Sequence, residues 1–331
     1  MKKIFILLLM LILVSGCSKI SQDDIMKKFI KKVNNADSYY LSGELELRNN
    51  DEVYNYDVEV SFEKKSFYKV SLKNKSNDAT QIILKNEEGV YILTPSLNRS
   101  FKFQSDWPYN NSQIYLLSAL VNDLKNDKDV EFKENDNTYV FTTKVNYPNN
   151  KDLVKQKIYL SKKLKLKKVV VYDKEGVPSM EFKVNKIDYS PSFEDNYFNL
   201  NTIMETYSQK EDTVEETITL EETIYPLSLP VGTTLSNEEK IKKTDGERIL
   251  MTFEGDKPFL LVEETVNAEE EFTIIPTNGE PYRLMDTLGV MTDNSLSWVT
   301  NGIEYYIVSD VLSQDELVEI AQSIYILPTM K

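Results

Sequence analysis

Cys17 is the only cysteine in a chain of 331 residues that has no histidine at all. It follows Val14, Ser15 and Gly16, one aliphatic residue and two small ones. Small side chains at these positions fit a signal peptidase cleft. A thiol directly after them can take a diacylglyceryl thioether and become a new N-terminus. Upstream, Lys2 and Lys3 supply positive charge, and Ile4 to Val14 is an apolar run of eleven residues. At about 1.5 Å per residue that run falls well short of a bilayer core of about 30 Å. The segment reads as a signal peptide over residues 1–16, with Val14, Ser15 and Gly16 recognised by the peptidase and Cys17 lipidated. The expected location is the cell membrane, lipid-anchored, on its extracytoplasmic face.

The remaining chemistry is narrow. Without histidine or a second cysteine, the common zinc sites and Ser-His-Asp or Cys-His catalysis are excluded. A disulfide within the chain is excluded too. Glu221–Glu222 and Glu263–Glu264 are adjacent carboxylates. Neighbours in a strand point to opposite faces, so adjacency makes no acid–base pair. No calcium loop of the EF-hand pattern occurs. The expectation is a protein without catalytic residues, metal or cofactor. Net charge is −14 and uneven. From Met204 onward there are 8 Lys and Arg against 26 Asp and Glu; before it there are 31 against 27. The acidic half would repel phosphates, so no nucleic acid partner is expected. The charge split indicates two domains joined by the polar, acidic stretch 204–216.

Those residues need a scaffold, and periodicity supplies one. Ser21 to Val33 is an amphipathic helix, with Ile25, Phe29, Ile30 and Val33 on one face and Lys27, Lys28, Lys31 and Lys32 on the other. The basic face suits anionic lipid headgroups, but an ordinary surface helix packed on the first domain explains it better. From Tyr39 the period becomes two. Strand-like runs at 39–47, 54–62, 67–72, 80–84, 90–94 and 101–103 predict an antiparallel meander with one apolar face. After the turn from Trp107 to Ser112, a helix from Gln113 to Lys125 is apolar almost all round. Such a helix must be enclosed or must cover something apolar. Strands resume at 129–133, 139–145, 154–161, 165–172 and 178–189, before a closing turn from Pro191 to Leu200. Beyond 216, strands are expected at 217–224, 248–253, 259–263, 295–299 and 304–308. Asn278-Gly279 and Asn301-Gly302 look like hairpin turns. A final helix starts at Ser313, with Leu317, Ile320, Ala321 and Ile324 as its buried stripe. Trp107 and Trp298 sit beside turns and are expected to pack in the core or at its rim.

The lipobox, the N-terminal helix, about eleven antiparallel strands and the apolar helix inserted among them resemble the LolA-like lipoprotein-carrier superfamily. The segment Ser105 to Leu124 (SDWPYNNSQIYLLSALVNDL) is similar to its Gram-positive, membrane-anchored branch of YdcC- and GerS-type sporulation and germination lipoproteins. The likeness covers residues 17–203. Ser297-Trp298, Asn301 to Tyr305 and the Ser313 helix resemble a small domain of unknown function over 217–331. Joining the two resembles the architecture of RseB-type regulatory sensors. The resemblance implies a mainly β (α+β) fold: an incomplete antiparallel β-barrel with covering helices, then a smaller α+β domain. It implies an apolar pocket under the covering helix, lined by Ile114, Leu117, Leu120, Val121 and Leu124. It also implies a non-catalytic binding protein for a lipid, an acylated ligand or a partner protein. The acidic C-terminal domain is the alternative partner surface. An anchored chain cannot carry cargo freely between membranes.

Overall fold

The computed structural model describes residues 21–49, 52–64, 66–108, 112–147, 150–208, 223–244, 246–269, 271–284 and 287–324. The expected signal peptide, its recognition residues Val14, Ser15 and Gly16, and Cys17 lie outside the described residues. So do positions 209–216 of the expected linker and 217–222 of the expected strand after it.

Helix α1 (Gln22–Asn34) starts where Ser21 Oγ accepts the N–H of Asp24 at 3.2 Å. Asp23 and Asp24 in its first turn and Lys31 and Lys32 in its last complement the helix dipole. Eleven strands follow, interrupted by one helix. They are β1 (Ser38–Asn49), β2 (Glu52–Glu63), β3 (Phe67–Asn74), β4 (Thr80–Asn86), β5 (Gly89–Thr94), β6 (Arg99–Phe103), helix α2 (Leu117–Asn126), β7 (Glu131–Glu134), β8 (Thr138–Lys144), β9 (Leu153–Ser161), β10 (Leu166–Asp173) and β11 (Pro178–Asp188). Helix α3 (Leu200–Ser208) comes next. The C-terminal half holds β12 (Thr233–Lys243), β13 (Gly246–Gly255), β14 (Phe259–Thr265), β15 (Thr273–Thr277), β16 (Glu280–Arg283), β17 (Leu288–Met291), β18 (Ser295–Thr300), β19 (Ile303–Val308) and helix α4 (Gln314–Ser323).

The strands form two sheets. The larger has the order β15-β6-β5-β4-β3-β2-β1-β11-β10-β9-β8-β7. Its edges, β15 and β7, do not pair with one another, so the barrel is incomplete. One core cluster takes Leu41, Val58, Val70 and Ile92 from one side of this sheet, Phe141, Ile158 and Val169 from the other, and the apolar stripes of α1 and α2. A single cluster can reach both sides because the sheet curls around the two helices, which lie against each other. The curl is helped by a bulge between Ser42 and Gly43, where β1 shifts register against β11.

Three expectations change here. Helix α2 begins at Leu117 rather than Gln113, because Ser112, the expected cap, is committed elsewhere: its hydroxyl donates to the carboxylate of Asp123. The meander is not wet on its whole second face. Ile82, Ile83 and Leu84 of β4 and Val90 to Leu93 of β5 are buried on both faces. The outer cover is α3, which the sequence reading leaves partly in a closing turn and partly in the linker. Asn199 Oδ1 accepts the N–H of Thr202 at 3.0 Å to cap it, and Leu200, Ile203 and Met204 pack on Ile82, Leu84, Tyr91 and Leu93. Third, Asn278-Gly279 closes no hairpin. β15 before it pairs in parallel with β6 and β16 after it pairs with β17, so the chain changes sheets there. Asn301-Gly302 does close the β18–β19 hairpin, with φ of 49° and 74°, as a two-residue turn with both φ positive requires.

The smaller sheet is antiparallel in the order β12-β13-β14-β19-β18-β17-β16. Helix α4 covers one face with Leu317, Val318, Ile320 and Ala321. It carries a full capping box, Ser313 with Glu316. Leu288 and Val290 of β17 are buried in the core of the larger sheet. Both tryptophans are buried: Trp107 edge-on to Tyr68, and Trp298 stacked on Tyr305.

Candidate functional site

A cavity of about 270 Å³ lies where the second sheet meets one end of the curled first sheet. Small-molecule sites typically enclose about 300–1,000 Å³, so this one falls just below that range. Its walls come from both halves. Leu47 and Arg48 end β1, and Met180, the register partner of Leu47, begins β11. Ile114 and Tyr115 stand in the turn before α2, and Tyr147 and Leu153 flank the β8–β9 connection. Opposite them, β16 presents Pro281, Tyr282 and Arg283, and β17 presents Met291. Gln314 and Gln322 of α4 complete the rim.

The lining is mostly apolar and holds few charges. Arg48 is paired with Glu46, its Nε donating to Oε1 at 2.7 Å. Glu280, the lining carboxylate, accepts from the hydroxyl of Ser105. Arg283 is half-buried. Its Nη2 donates to the Tyr115 hydroxyl at 3.0 Å, and its guanidinium carbon stands 5.2 Å and 5.8 Å from the ring centres of Tyr115 and Tyr56. Among the described residues no carboxylate lies within ion-pair distance of it. Tyr147 stands behind it, half-buried, with its hydroxyl enclosed. Burial first, then Asp123 and Tyr115, push its hydroxyl well above the usual phenol range, while Arg283 opposes that shift.

Asp123 anchors α2 just behind this wall. Both of its oxygens accept from Ser112 Oγ at 2.9 Å, and Oδ2 also accepts from Gln156 Nε2 at 2.7 Å. Burial raises its pKa to about 6 against the pull of these two donors. Ser112 is 1% exposed and also accepts from the backbone N–H of Asn146 at 2.8 Å. A hydroxyl so enclosed is a structural link between α2 and the sheet. Among the described residues no group of three or more Asp, Glu, His or Cys could hold a metal ion.

Of the five side chains expected to line a pocket, Ile114 borders this cavity. Leu117, Leu120, Val121 and Leu124 are not among its lining residues; they are 0%, 0%, 2% and 1% exposed and fill the core between α2 and the sheet. The physical reason is that the sheet curls tightly enough for α2 to fill its interior, and this cavity lies at one end. Sequence reasoning missed Met180, Tyr282, Arg283 and Met291. One signal was available: Arg283 is among just 8 basic residues after position 203. Of the α1 lysines, Lys27, Lys28 and Lys31 are exposed, whereas Lys32 turns inward to the carbonyls of Lys163 and Leu164 and over the Tyr189 ring. Among the described residues no helix is long and apolar enough to cross a membrane.

No family model matches the chain. A curated relative, the sporulation protein YdcC of Bacillus subtilis (strain 168), is 37% identical over 331 residues, covering 97% of each chain. The chain belongs to the YdcC family of sporulation proteins. Among solved structures it is similar to the MucA/MucB complex of Pseudomonas aeruginosa, with 13% identity over 90% of this chain and 97% of that one and a TM-score of 0.32. It is also similar to a LolA superfamily protein from Nitrosomonas europaea, with 10% identity over 55% and 99% of the two chains and a TM-score of 0.32.

Proposed function

We propose that this YdcC-family chain is a membrane-anchored, non-catalytic binding protein that holds an apolar ligand group in the cavity between its two sheets. The cavity carries the reading: a half-open, mostly apolar space bounded by Leu47, Ile114, Leu153, Met180, Tyr282 and Met291. Apolar surface in contact with water is unfavourable, and a ligand chain that replaces the water there gains about 25 cal/mol per Å² buried. Anchoring through Cys17 keeps such a ligand at the extracytoplasmic membrane surface. The chain would then present or sense the ligand there, in envelope or spore-forming processes, without carrying it away. The test is to purify the lipidated chain from membranes, and separately the chain from residue 18 onward, and to extract each for mass spectrometry. A non-covalent lipid or acylated molecule in stoichiometric amount supports the reading. A ligand-free protein that takes up no apolar probe sinks it. Radiolabelled palmitate should enter the protein and be lost in Cys17→Ser.

Charge favours a second reading, in which the acidic half docks a basic protein partner: after residue 203 there are 26 acidic against 8 basic side chains. Crosslinking from membranes at low and high salt should then trap a partner in a salt-dependent way. A yield that does not change with salt counts against it.

A further inference from the structure

We infer that the cavity takes a single-chain anionic amphiphile, and that Arg283 is the residue that receives its carboxylate or phosphate head. The inference rests on the reading of the cavity as an apolar ligand site and adds the chemistry of the head group.

Among the described residues the cavity has two cationic lining residues, and they differ in what they have left to offer. Arg48 is committed to Glu46. Among the described residues Arg283 makes one hydrogen bond, to a phenol, and faces two aromatic rings. A guanidinium has five N–H donors in a planar fork. One neutral acceptor leaves most of that capacity unused in a place half withdrawn from water. Charges in such surroundings are normally paired, because an unpaired one is costly to desolvate. A carboxylate or phosphate fits the fork with two parallel hydrogen bonds. A neutral apolar ligand would do the reverse. It would strip water from Arg283 and supply no acceptor, which weakens binding by about ten- to a hundredfold. The same arginine therefore selects for an anionic head and against a neutral one. The lining carboxylate, Glu280, does not neutralise the arginine. It is held by Ser105, and no ion pair joins the two. A volume of about 270 Å³ suits one acyl chain better than two.

Calorimetry on the chain from residue 18 onward, which contains every described residue, tests this with three ligands of equal tail length: dodecanoate, dodecyl phosphate and dodecanol. The expected result is that both anions, or one of them, bind at least about tenfold more tightly than dodecanol. The tighter anion identifies the head as a free carboxylate or a phosphate ester. In R283Q the ratio of anion to alcohol affinity should fall to about one, and in R283K it should be partly retained. Thermal melts of both variants check that they fold. If dodecanol binds as tightly as the anions in the wild type, the head-group inference is overturned and the apolar site stands. If the preference survives in R283Q, the assignment to Arg283 is overturned. If none of the three binds, the apolar reading of the cavity fails and the inference falls with it.

Discussion

Asp123 and Glu263 are carboxylates held inside a protein that offers them few counter-charges. Burial raises Asp123 to about 6 from 3.8. Burial likewise raises Glu263 to about 7 from 4.5, opposed by the N–H of Ile224 and reinforced by Glu238. Glu263 is 0% exposed, and its Oε1 has no hydrogen-bond partner among the described residues. In both cases the folded chain binds the proton more tightly than the unfolded chain does. Their stabilising contribution is therefore complete below the ordinary carboxylate values and is lost as pH rises through about 6 for Asp123 and about 7 for Glu263. The urea midpoint is expected to fall as pH rises from about 4 to about 7. Glu263→Gln should shrink the upper part of that fall, and Asp123→Asn the lower part. An amide at position 123 can still accept from Ser112, and it can donate to Gln156 Oε1, which has no partner in the wild type. Unfolding curves at three pH values would decide it. A pH slope in Glu263→Gln equal to the wild-type slope would show that this carboxylate does not titrate in the folded protein.

At the scale of elements, the bulge in β1 leaves no room for a single added methyl group. A Cβ at Gly43 would lie 2.1 Å from the carbonyl oxygen of Lys183 and 2.8 Å from the Phe182 ring. Neither can yield easily, since one is sheet backbone and the other a core side chain with 0% exposure. Gly43→Ala is expected to cost about 1–3 kcal/mol or more, measured by chemical denaturation, with the loss centred on β1–β11 exchange protection. The same sheet was easy to read from sequence, because its strands β1 to β11 show either an apolar alternation or, as in β4 and β5, a short apolar run bounded by turn clusters. The elements that escaped lack that signature for identifiable reasons. β12 is an edge strand whose residues are almost all exposed or half-exposed, with only Thr233 buried, so it has no apolar period. β15 pairs with β6, about 170 residues earlier, and nothing local announces a partner so distant. Helix α3 has few apolar residues, Leu200, Ile203, Met204 and the half-buried Tyr207, beside a polar tail that resembles a linker. The cavity was illegible for a related reason: its walls meet only when the two halves meet, so the apolar residues of α2 pointed to a pocket that α2 itself fills.

At the scale of the whole molecule, the acidic half is stitched into the first one. β15 extends the larger sheet, and Leu288 and Val290 complete its core. Arg99 of β6 reaches Glu304 of β19 at 3.1 Å. Gln81 of β4 donates to the carbonyl of Leu288 at 3.2 Å, and its Oε1 accepts from the Thr287 hydroxyl at 3.1 Å and from the N–H of Leu288. Halves joined by buried apolar and polar contacts of this kind should unfold together. The two tryptophans allow a direct check, since Trp107 reports the larger sheet and Trp298 the smaller. In W298F and W107F, each with one tryptophan left, urea midpoints followed by fluorescence and by circular dichroism should coincide. Gln81→Ala then separates cooperative from independent halves. It alters only β4, yet it leaves the Leu288 N–H without its acceptor in a buried place, at a cost of about 1–3 kcal/mol. If the halves are one folding unit, the Trp298 transition moves as far as the Trp107 transition. If only the Trp107 transition moves, the halves fold separately. The cavity would then be a gap between two independently stable bodies, free to open, and a ligand bridging them would be expected to bring the two transitions back together.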